Sequence, residues 1–328
     1  MQSEELILEV KDLSIGFGSR RQPVEITNNV SFKLHRGEIV SLVGESGCGK
    51  SLTCLALLRL LPPGARILNG SILFYGRDGS VTDLTQLAER KLRKLRGSSI
   101  ACIFQEPAAS LNPVFTVEDQ IAEVIELHRP EVEDVHSEVV RLLQDVGIPD
   151  PERRAEAYPH ELSGGMQQRV MIAMALAGKP ELLIADEPTT ALDVTIQSQI
   201  LELLDSLRKK YNMAVILITH NLGIVAELSD HVEVMYAGMV VESAPTSEVI
   251  NSPLHPYTRA LLKAVPHFGS EGKKLNTIPG QVPLPGEFPK GCRFADRCSL
   301  AQAECSDPVA MQTRDRHMWR CINKNPEA

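Results

Sequence analysis

Residues 38–52 read Glu-Ile-Val-Ser-Leu-Val-Gly-Glu-Ser-Gly-Cys-Gly-Lys-Ser-Leu. An apolar, β-branched run (Ile39, Val40, Leu42, Val43) predicts a buried strand, and Leu52 to Leu61 predict an apolar helix. Between them Gly44 to Ser51 matches G-x-x-x-x-G-K-[ST], the P-loop. Gly44, Gly47 and Gly49 let the backbone curl so that its N–H groups surround phosphate oxygens. The helix N-terminus behind them favours anions. Lys50 is expected to reach the β- and γ-phosphates of a nucleotide, and the Ser51 hydroxyl to hold Mg²⁺. The expected nucleotide-binding set in this stretch is Gly44, Ser46, Gly47, Cys48, Gly49, Lys50, Ser51 and Leu52.

A chain of 328 residues suggests about two domains. Its net charge of −8 argues against a dedicated nucleic-acid binder. The N-terminus, Met1 to Val10, is acidic and lacks the apolar stretch of a signal peptide. No run approaches the ~18 apolar residues of a membrane span. Three of the 7 cysteines, Cys48, Cys54 and Cys102, are scattered, while Cys292, Cys298, Cys305 and Cys321 crowd the tail. Without a secretion signal, that cluster reads as metal-binding rather than disulfide-bonded.

Residues 6–17 alternate as a strand that reaches Phe17, and residues 28–36 predict a second strand before Gly37. On spacing alone Phe17 is a core or edge aromatic, with stacking on an adenine as the other reading. Residues 71–75 predict a short strand. Residues 86–96, with Arg90, Lys91, Arg93, Lys94 and Arg96, predict a basic helix with a solvated face. Residues 99–105 form an apolar strand ending at Gln105, a residue type that can orient water or ligate Mg²⁺. A loop over 106–116 and helices over 117–146 follow.

Leu162-Ser163-Gly164-Gly165-Met166-Gln167-Gln168-Arg169 opens a helix running to Ala177. Ser163 can cap it, and the glycines permit an anion to approach its amides. This is a second candidate phosphate site, far in sequence from the first. Residues 182–188 form an apolar strand ending in two acids, which are costly to desolvate without a partner or a task. Asp186 is placed to hold Mg²⁺ through water, and Glu187 to polarise an attacking water. Ala191-Leu192-Asp193 leads into a helix over 196–210, and residues 214–220 form one more buried strand, ending at His220. Open α/β sheets bind ligands at the carboxyl ends of their strands, which would turn His220 toward the γ-phosphate.

The P-loop, Gln105, Leu-Ser-Gly-Gly-Met, Asp186-Glu187 and His220 occur in the order and spacing of ABC-transporter nucleotide-binding domains, and residues 1 to about 265 resemble that family. The resemblance implies an α/β fold: a P-loop NTPase core with an antiparallel β subdomain, a helical subdomain over about 106–180, and a small Cys-rich extension over 266–328. It implies an ATPase. Phe17 becomes the adenine-stacking aromatic, reversing the reading from spacing. Gln105 becomes the Q-loop residue that senses Mg²⁺, so that Ser51, Gln105 and Asp186 serve the metal. Ser163, Gly164, Gly165, Met166 and Gln167 become the signature that closes on the nucleotide of a second subunit. Glu187 becomes the general base, Asp193 the D-loop aspartate and His220 the switch histidine. Met166 stands where Gln is more usual, Cys48 replaces a common Ser, and Asn221 replaces a common Asp.

Gln-Glu-Pro-Ala-Ala-Ser-Leu-Asn-Pro (105–113), Tyr-Pro-His-Glu-Leu-Ser-Gly-Gly-Met (158–166) and His-Pro-Tyr-Thr-Arg-Ala-Leu (255–261) resemble the ATPase subunits of dipeptide and oligopeptide importers. That resemblance implies a second, different ATPase subunit, two transmembrane permeases and an extracytoplasmic binding protein, with this chain at the cytoplasmic face of the inner membrane and no nucleic-acid partner. Nickel and glutathione importers share most of these words. A soluble ABC-type ATPase of DNA repair or translation is the alternative from another class. It is opposed by the absence of a coiled-coil insertion between Gln105 and Ser163 and by the single cassette. In the tail, the spacing Cys292-x5-Cys298-x6-Cys305-x15-Cys321 suits a [4Fe–4S] cluster. Zinc is disfavoured because no C-x-x-C pair is present, and four unliganded thiols are the remaining reading.

Overall fold

The computed structural model of the protein describes residues 5–19, 21–190, 193–264 and 277–323. The expected domain boundary near 265 and the Ala191-Leu192 segment lie outside the described residues.

The chain runs β1 (Leu6–Gly18), β2 (Pro23–His35), β3 (Ile39–Val43), α1 (Lys50–Leu57), β4 (Ala65–Tyr75), β5 (Val81–Asp83), α2 (Glu89–Leu95) and β6 (Ile100–Ile103). Helices α3 (Pro107–Ser110), α4 (Val117–His128), α5 (Val135–Asp145), α6 (Pro151–Ala155) and α7 (Gly164–Ala177) follow. Then come β7 (Leu182–Asp186), α8 (Val194–Tyr211), β8 (Ala214–Thr219), α9 (Leu222–Leu228), β9 (His231–Tyr236), β10 (Met239–Pro245), α10 (Thr246–Asn251) and α11 (Pro256–Ala264). The tail adds β11 (Gln312–Arg314) and β12 (His317–Trp319).

Two sheets organise these elements. The first is antiparallel, in the order β2-β1-β4-β5; the second is β11-β12-β10-β9-β3-β8-β7-β6. Strands β9, β3, β8, β7 and β6 are mutually parallel. Every residue of β3 and β8 is buried, and this burial on both faces explains why they are apolar apart from Ser41 and Thr219 rather than alternating. Their carboxyl ends lie along one edge, which brings the P-loop after β3 beside Asp186 after β7 and His220 after β8.

One apolar cluster, including Leu8, Ile15, Leu42, Leu57 and Ile216, fills the space between the two sheets. A second joins the other face of the parallel sheet to α8 and the helices at 117–177, through Ile121, Leu142, Val170, Ile172 and Leu204. A third packs β9, β10 and Tyr257 around Phe294 of the tail.

Several elements differ from the periodicity reading. Strand β2 begins at Pro23 rather than residue 28, because Pro is tolerated at the first position of an edge strand. Helix α1 starts at Lys50, where Gly49 with φ 98° turns the chain into it, and it ends at Leu57 rather than Leu61. The expected loop 106–116 contains α3, which starts on Pro107, a residue preset for a first helical turn. In the basic stretch only Leu92 of α2 is buried, so this helix does present a solvated face.

The cysteine-bearing tail continues the core sheet: β12 pairs with β10 (Glu242 opposite Trp319) and β11 with β12. His317 anchors the pairing, with Nε2 2.7 Å from the fully buried Glu242 and Nδ1 3.2 Å from Glu248. Glu242 also accepts the N–H groups of Leu254 (2.6 Å) and His255 (2.9 Å). A buried carboxylate needs such partners, and through Glu242 they join the tail and the 254–255 segment to β10.

Candidate nucleotide site

The P-loop wraps the N-terminus of α1. Gly44 has φ 152°, and a Cβ there would lie 2.1 Å from the Met235 carbonyl, so a side chain is excluded by the backbone of β9. Lys50 is buried, and its Nζ donates to the carbonyls of Gly44 (2.8 Å) and Glu45 (3.1 Å). The ammonium is thereby held inside the loop, where the β- and γ-phosphates of a nucleotide are expected. Cys48 is fully buried beneath the loop, and burial pushes its thiol pKa up.

Ser51 Oγ donates to Asp186 Oδ1 at 2.9 Å. Burial raises the Asp186 carboxyl, with the Ser51 hydrogen bond opposing it. Hydroxyl and carboxylate oxygens are the hard donors Mg²⁺ takes, so this pair fits a Mg²⁺ site. Glu187 has φ 45°, in the left-handed region, and its N–H donates to the Ile218 carbonyl at 3.0 Å. Its carboxylate accepts from Thr190 Oγ1 (2.9 Å) and Gln105 Nε2 (3.3 Å), and His220 Nδ1 lies 3.4 Å away. Three strand ends thus converge on one carboxylate. In this structure Gln105 bonds Glu187 rather than the Ser51–Asp186 pair.

Phe17 stands half-buried at the end of β1, between Val24 of β2 and Ala65 of β4. Ser163 caps α7 by accepting from the Met166 N–H at 3.4 Å. Gln167 Nε2 holds the preceding turn through the carbonyls of Pro159 (2.8 Å) and Leu162 (3.3 Å). Space above Gly164 is open, while Gly165 abuts Ile196 of α8. Among the described residues no signature side chain bonds the P-loop; the bonds that Ser163 and Gln167 make are local to the turn before α7 and its first turn. Asp193 precedes α8 and is exposed, its carboxylate making no capping bond.

Three partners of the site are not marked as such by the sequence. Thr190 bonds Glu187, the Tyr257 hydroxyl accepts the Glu45 N–H at 2.9 Å, and Arg297 grips the Glu45 carboxylate. The last two lie 212 and 252 positions from Glu45, beyond the reach of any local pattern.

Cys292, Cys298, Cys305 and Cys321 line one pocket. Burial raises the thiols of Cys292 (to about 11), Cys298 and Cys321. Yet among the described residues no group of three or more His, Cys, Asp or Glu is arranged to hold a metal ion. The donor chemistry fits a four-thiolate group. The pocket these cysteines line is narrow, with room for about one water. The expected metal site is not seen in this arrangement.

The P-loop, the strand-end acids and the switch-like histidine on a parallel sheet define a nucleotide-hydrolysing cassette. The family model described as "ABC transporter" matches residues 27–190, and the one described as "Oligopeptide/dipeptide transporter, C-terminal region" matches residues 241–305. A protein of Brucella ovis named as a peptide import ATP-binding protein is 48% identical over 330 residues, covering 98% of each chain. One of Brucella abortus with the same description is 48% identical over 303 residues, covering 92% of this chain and 90% of its own. Among solved structures, a dimeric ATP-binding cassette in a post-hydrolysis state bound to ADP and Pi matches with TM-score 0.63 and 26% identity, over 73% of this chain and 99% of that one. The protein cbiO1 from Clostridium perfringens, part of an ABC transporter complex, matches with TM-score 0.63 and 29% identity over 76% and 92%. The chain belongs to the ABC transporter ATP-binding family and is an ATPase. No helix among the described residues is long and apolar enough to cross a membrane.

Proposed function

We propose that this chain hydrolyses ATP to power the import of di- and oligopeptides, pairing with a second, homologous ATPase subunit. The pair docks on two permease subunits at the cytoplasmic face of the inner membrane, served by an extracytoplasmic binding protein. The observation that carries this reading is likeness over 98% of both chains to a relative named for peptide import. The match of residues 241–305 to the oligopeptide/dipeptide C-terminal region supports it.

In the proposed mechanism ATP lies between one subunit's P-loop and the other's signature, Ser163 to Gln167. Phe17 stacks on the adenine, and Asp193 lies at the subunit junction. Ser51 and Asp186, with Gln105, would hold Mg²⁺, which would supply neutralisation of phosphate charge when bound. Glu187 accepts the proton of the attacking water, while His220 and Gln105 hold its carboxylate in place. Closure is favoured because ATP binds the closed pair better than the open one.

We extend the proposal to the tail: Cys292, Cys298, Cys305 and Cys321 ligate a [4Fe–4S] cluster of structural role. Support comes from four thiols sharing one pocket. A single zinc is disfavoured because the spacing lacks the C-x-x-C pairs common in structural zinc sites. Anaerobically purified protein should contain about four irons per chain and be brown; colourless, iron-free protein refutes it.

The function is tested by tagged purification from gently solubilised native membranes. Two permeases and a second ATPase should co-purify, and dipeptide, but not nickel or glutathione, should stimulate turnover in the reconstituted complex. Soluble partners alone, or stimulation by nickel, would overturn the assignment.

A further inference from the structure

The second residue of the P-loop, Glu45, carries a carboxylate of the same sign as the ligand the loop receives. Every polar group of Glu45 is held. Its N–H donates to the Tyr257 hydroxyl at 2.9 Å, and its carbonyl accepts from Lys50 Nζ (3.1 Å) and the Cys48 N–H (3.3 Å). Its carboxylate is gripped at both oxygens by Arg297, with Nη1–Oε2 2.6 Å and Nη2–Oε1 3.0 Å. Paired, planar contacts of this kind are the strong and directional ones.

Arg297 is built into its place. Its side chain is only 6% exposed. Nε donates to the Pro279 carbonyl (2.7 Å), and Nη1 reaches the Tyr236 hydroxyl (3.3 Å). The guanidinium also lies 5.7 Å from the Tyr236 ring centre and 6.0 Å from that of Phe294. The residue sits on the turn Ala295–Arg297, directly before Cys298. A second arginine of the same segment grips the flank of the P-loop. Arg293 donates to Glu25 of β2 (2.9 Å) and to the Ala237 carbonyl in the β9–β10 turn. The next residue of that turn, Gly238, donates its N–H to the Cys48 carbonyl at 3.0 Å.

We propose that the cysteine-bearing tail is a clamp on the P-loop, with Arg297 acting through Glu45 as a positioning residue for nucleotide binding. Released from Arg297, the Glu45 carboxylate repels the incoming triphosphate and competes with it for Lys50. Held by Arg297, it is neutralised and turned toward the tail. Arg297 itself touches no nucleotide in this account. The ATP affinity of the site therefore depends on a segment some 250 residues from the loop. This deepens the ATPase assignment and does not depend on the transported substrate.

The test is a double-mutant cycle on the full chain, read by binding of a fluorescent ATP analogue and, in the transporter complex, by ATP turnover. Arg297→Met should weaken nucleotide binding by about tenfold, as expected for losing a charged hydrogen-bond pair, with kcat changed much less than KM. In a Glu45→Gln background, where no free carboxylate remains, the same Arg297→Met change should cost less than about twofold. Equal losses in both backgrounds would show that Arg297 serves only the fold and would overturn the proposal. So would unchanged binding in the Glu45 background. If Arg297→Met does not fold, Arg297→Gln carries the same cycle, since Gln keeps hydrogen-bond donors but not the charge. A wild-type chain that binds the analogue without turning ATP over would refute the ATPase assignment, and the binding cycle would still decide the clamp.

Discussion

Glu187→Gln separates binding from chemistry at this site. The native carboxylate accepts from Thr190 Oγ1 at 2.9 Å and Gln105 Nε2 at 3.3 Å, and faces His220 Nδ1 at 3.4 Å. Glutamine matches its volume. Its Oε1 can face His220, and Thr190, whose hydroxyl both donates and accepts, can turn to take the new N–H₂. Only the long contact with exposed Gln105 becomes donor against donor, a loss of about 1 kcal/mol or less. The fold and the P-loop are therefore preserved, whereas the proton acceptor is gone. General-base removal costs roughly 10²–10⁴-fold, or about 3–5 kcal/mol in the barrier. Phosphate release should fall by that factor, while binding of a fluorescent ATP analogue and the thermal unfolding midpoint stay near wild type. Turnover within about fivefold of wild type would lie well below the general-base range and refute the assignment of Glu187 as the base. Loss of nucleotide binding would show instead that the carboxylate holds the P-loop in shape.

Three further outcomes follow from the same structure. Lys50→Ala removes the buried Nζ that bonds Gly44 and Glu45, and nucleotide affinity measured by titration should fall about ten- to hundredfold, the worth of charged hydrogen bonds. Glu138, gripped by Arg141 and Arg129 against the opposing effect of burial, titrates at about 2 rather than its ordinary 4.5. Its contribution is present above pH 4.5 and is lost as pH falls toward 2; the shift corresponds to at most about 3 kcal/mol. Urea unfolding at pH 7 and pH 3 should show that loss, and Arg141→Met should shrink it. At Gly178 a Cβ would meet the Gly97 carbonyl at 1.8 Å, so Gly178→Ala should destabilise by the upper part of the ~1–3 kcal/mol overpacking range, read as a lower urea midpoint.

The parts of this molecule that were legible in sequence share a physical character: each is a short segment whose residues specify one another locally. The P-loop is a strand, a glycine turn and a helix in one unbroken stretch from Ile39 to Leu57. Asp186 and Glu187 announce themselves because a run of apolar residues ends in charge, and Ser163 because a capping residue precedes two glycines. Their convergence was legible too, since parallel strands place their carboxyl ends along one edge. What escaped was pairing across the chain. Nothing near Arg297 marks it as the partner of Glu45, and nothing in Gln312–Trp319 says that two short strands will extend the core sheet beyond β10. Those contacts depend on where the tail lands, which is decided by buried groups far apart in sequence: Glu242 with His317, and Phe294 against Tyr236 and Tyr257. The cysteine spacing is incomplete information in a related way. It specifies donors but not the distance at which folding leaves them, and these thiols share a pocket without closing on an ion. The tail is thus read more securely through its arginines than through its cysteines. Arg297 bonds Glu45 of the P-loop, while Arg293 bonds Glu25 of β2 and the Ala237 carbonyl beside it, so in the proposed clamp a shift of the 292–298 segment reaches the P-loop through Arg297.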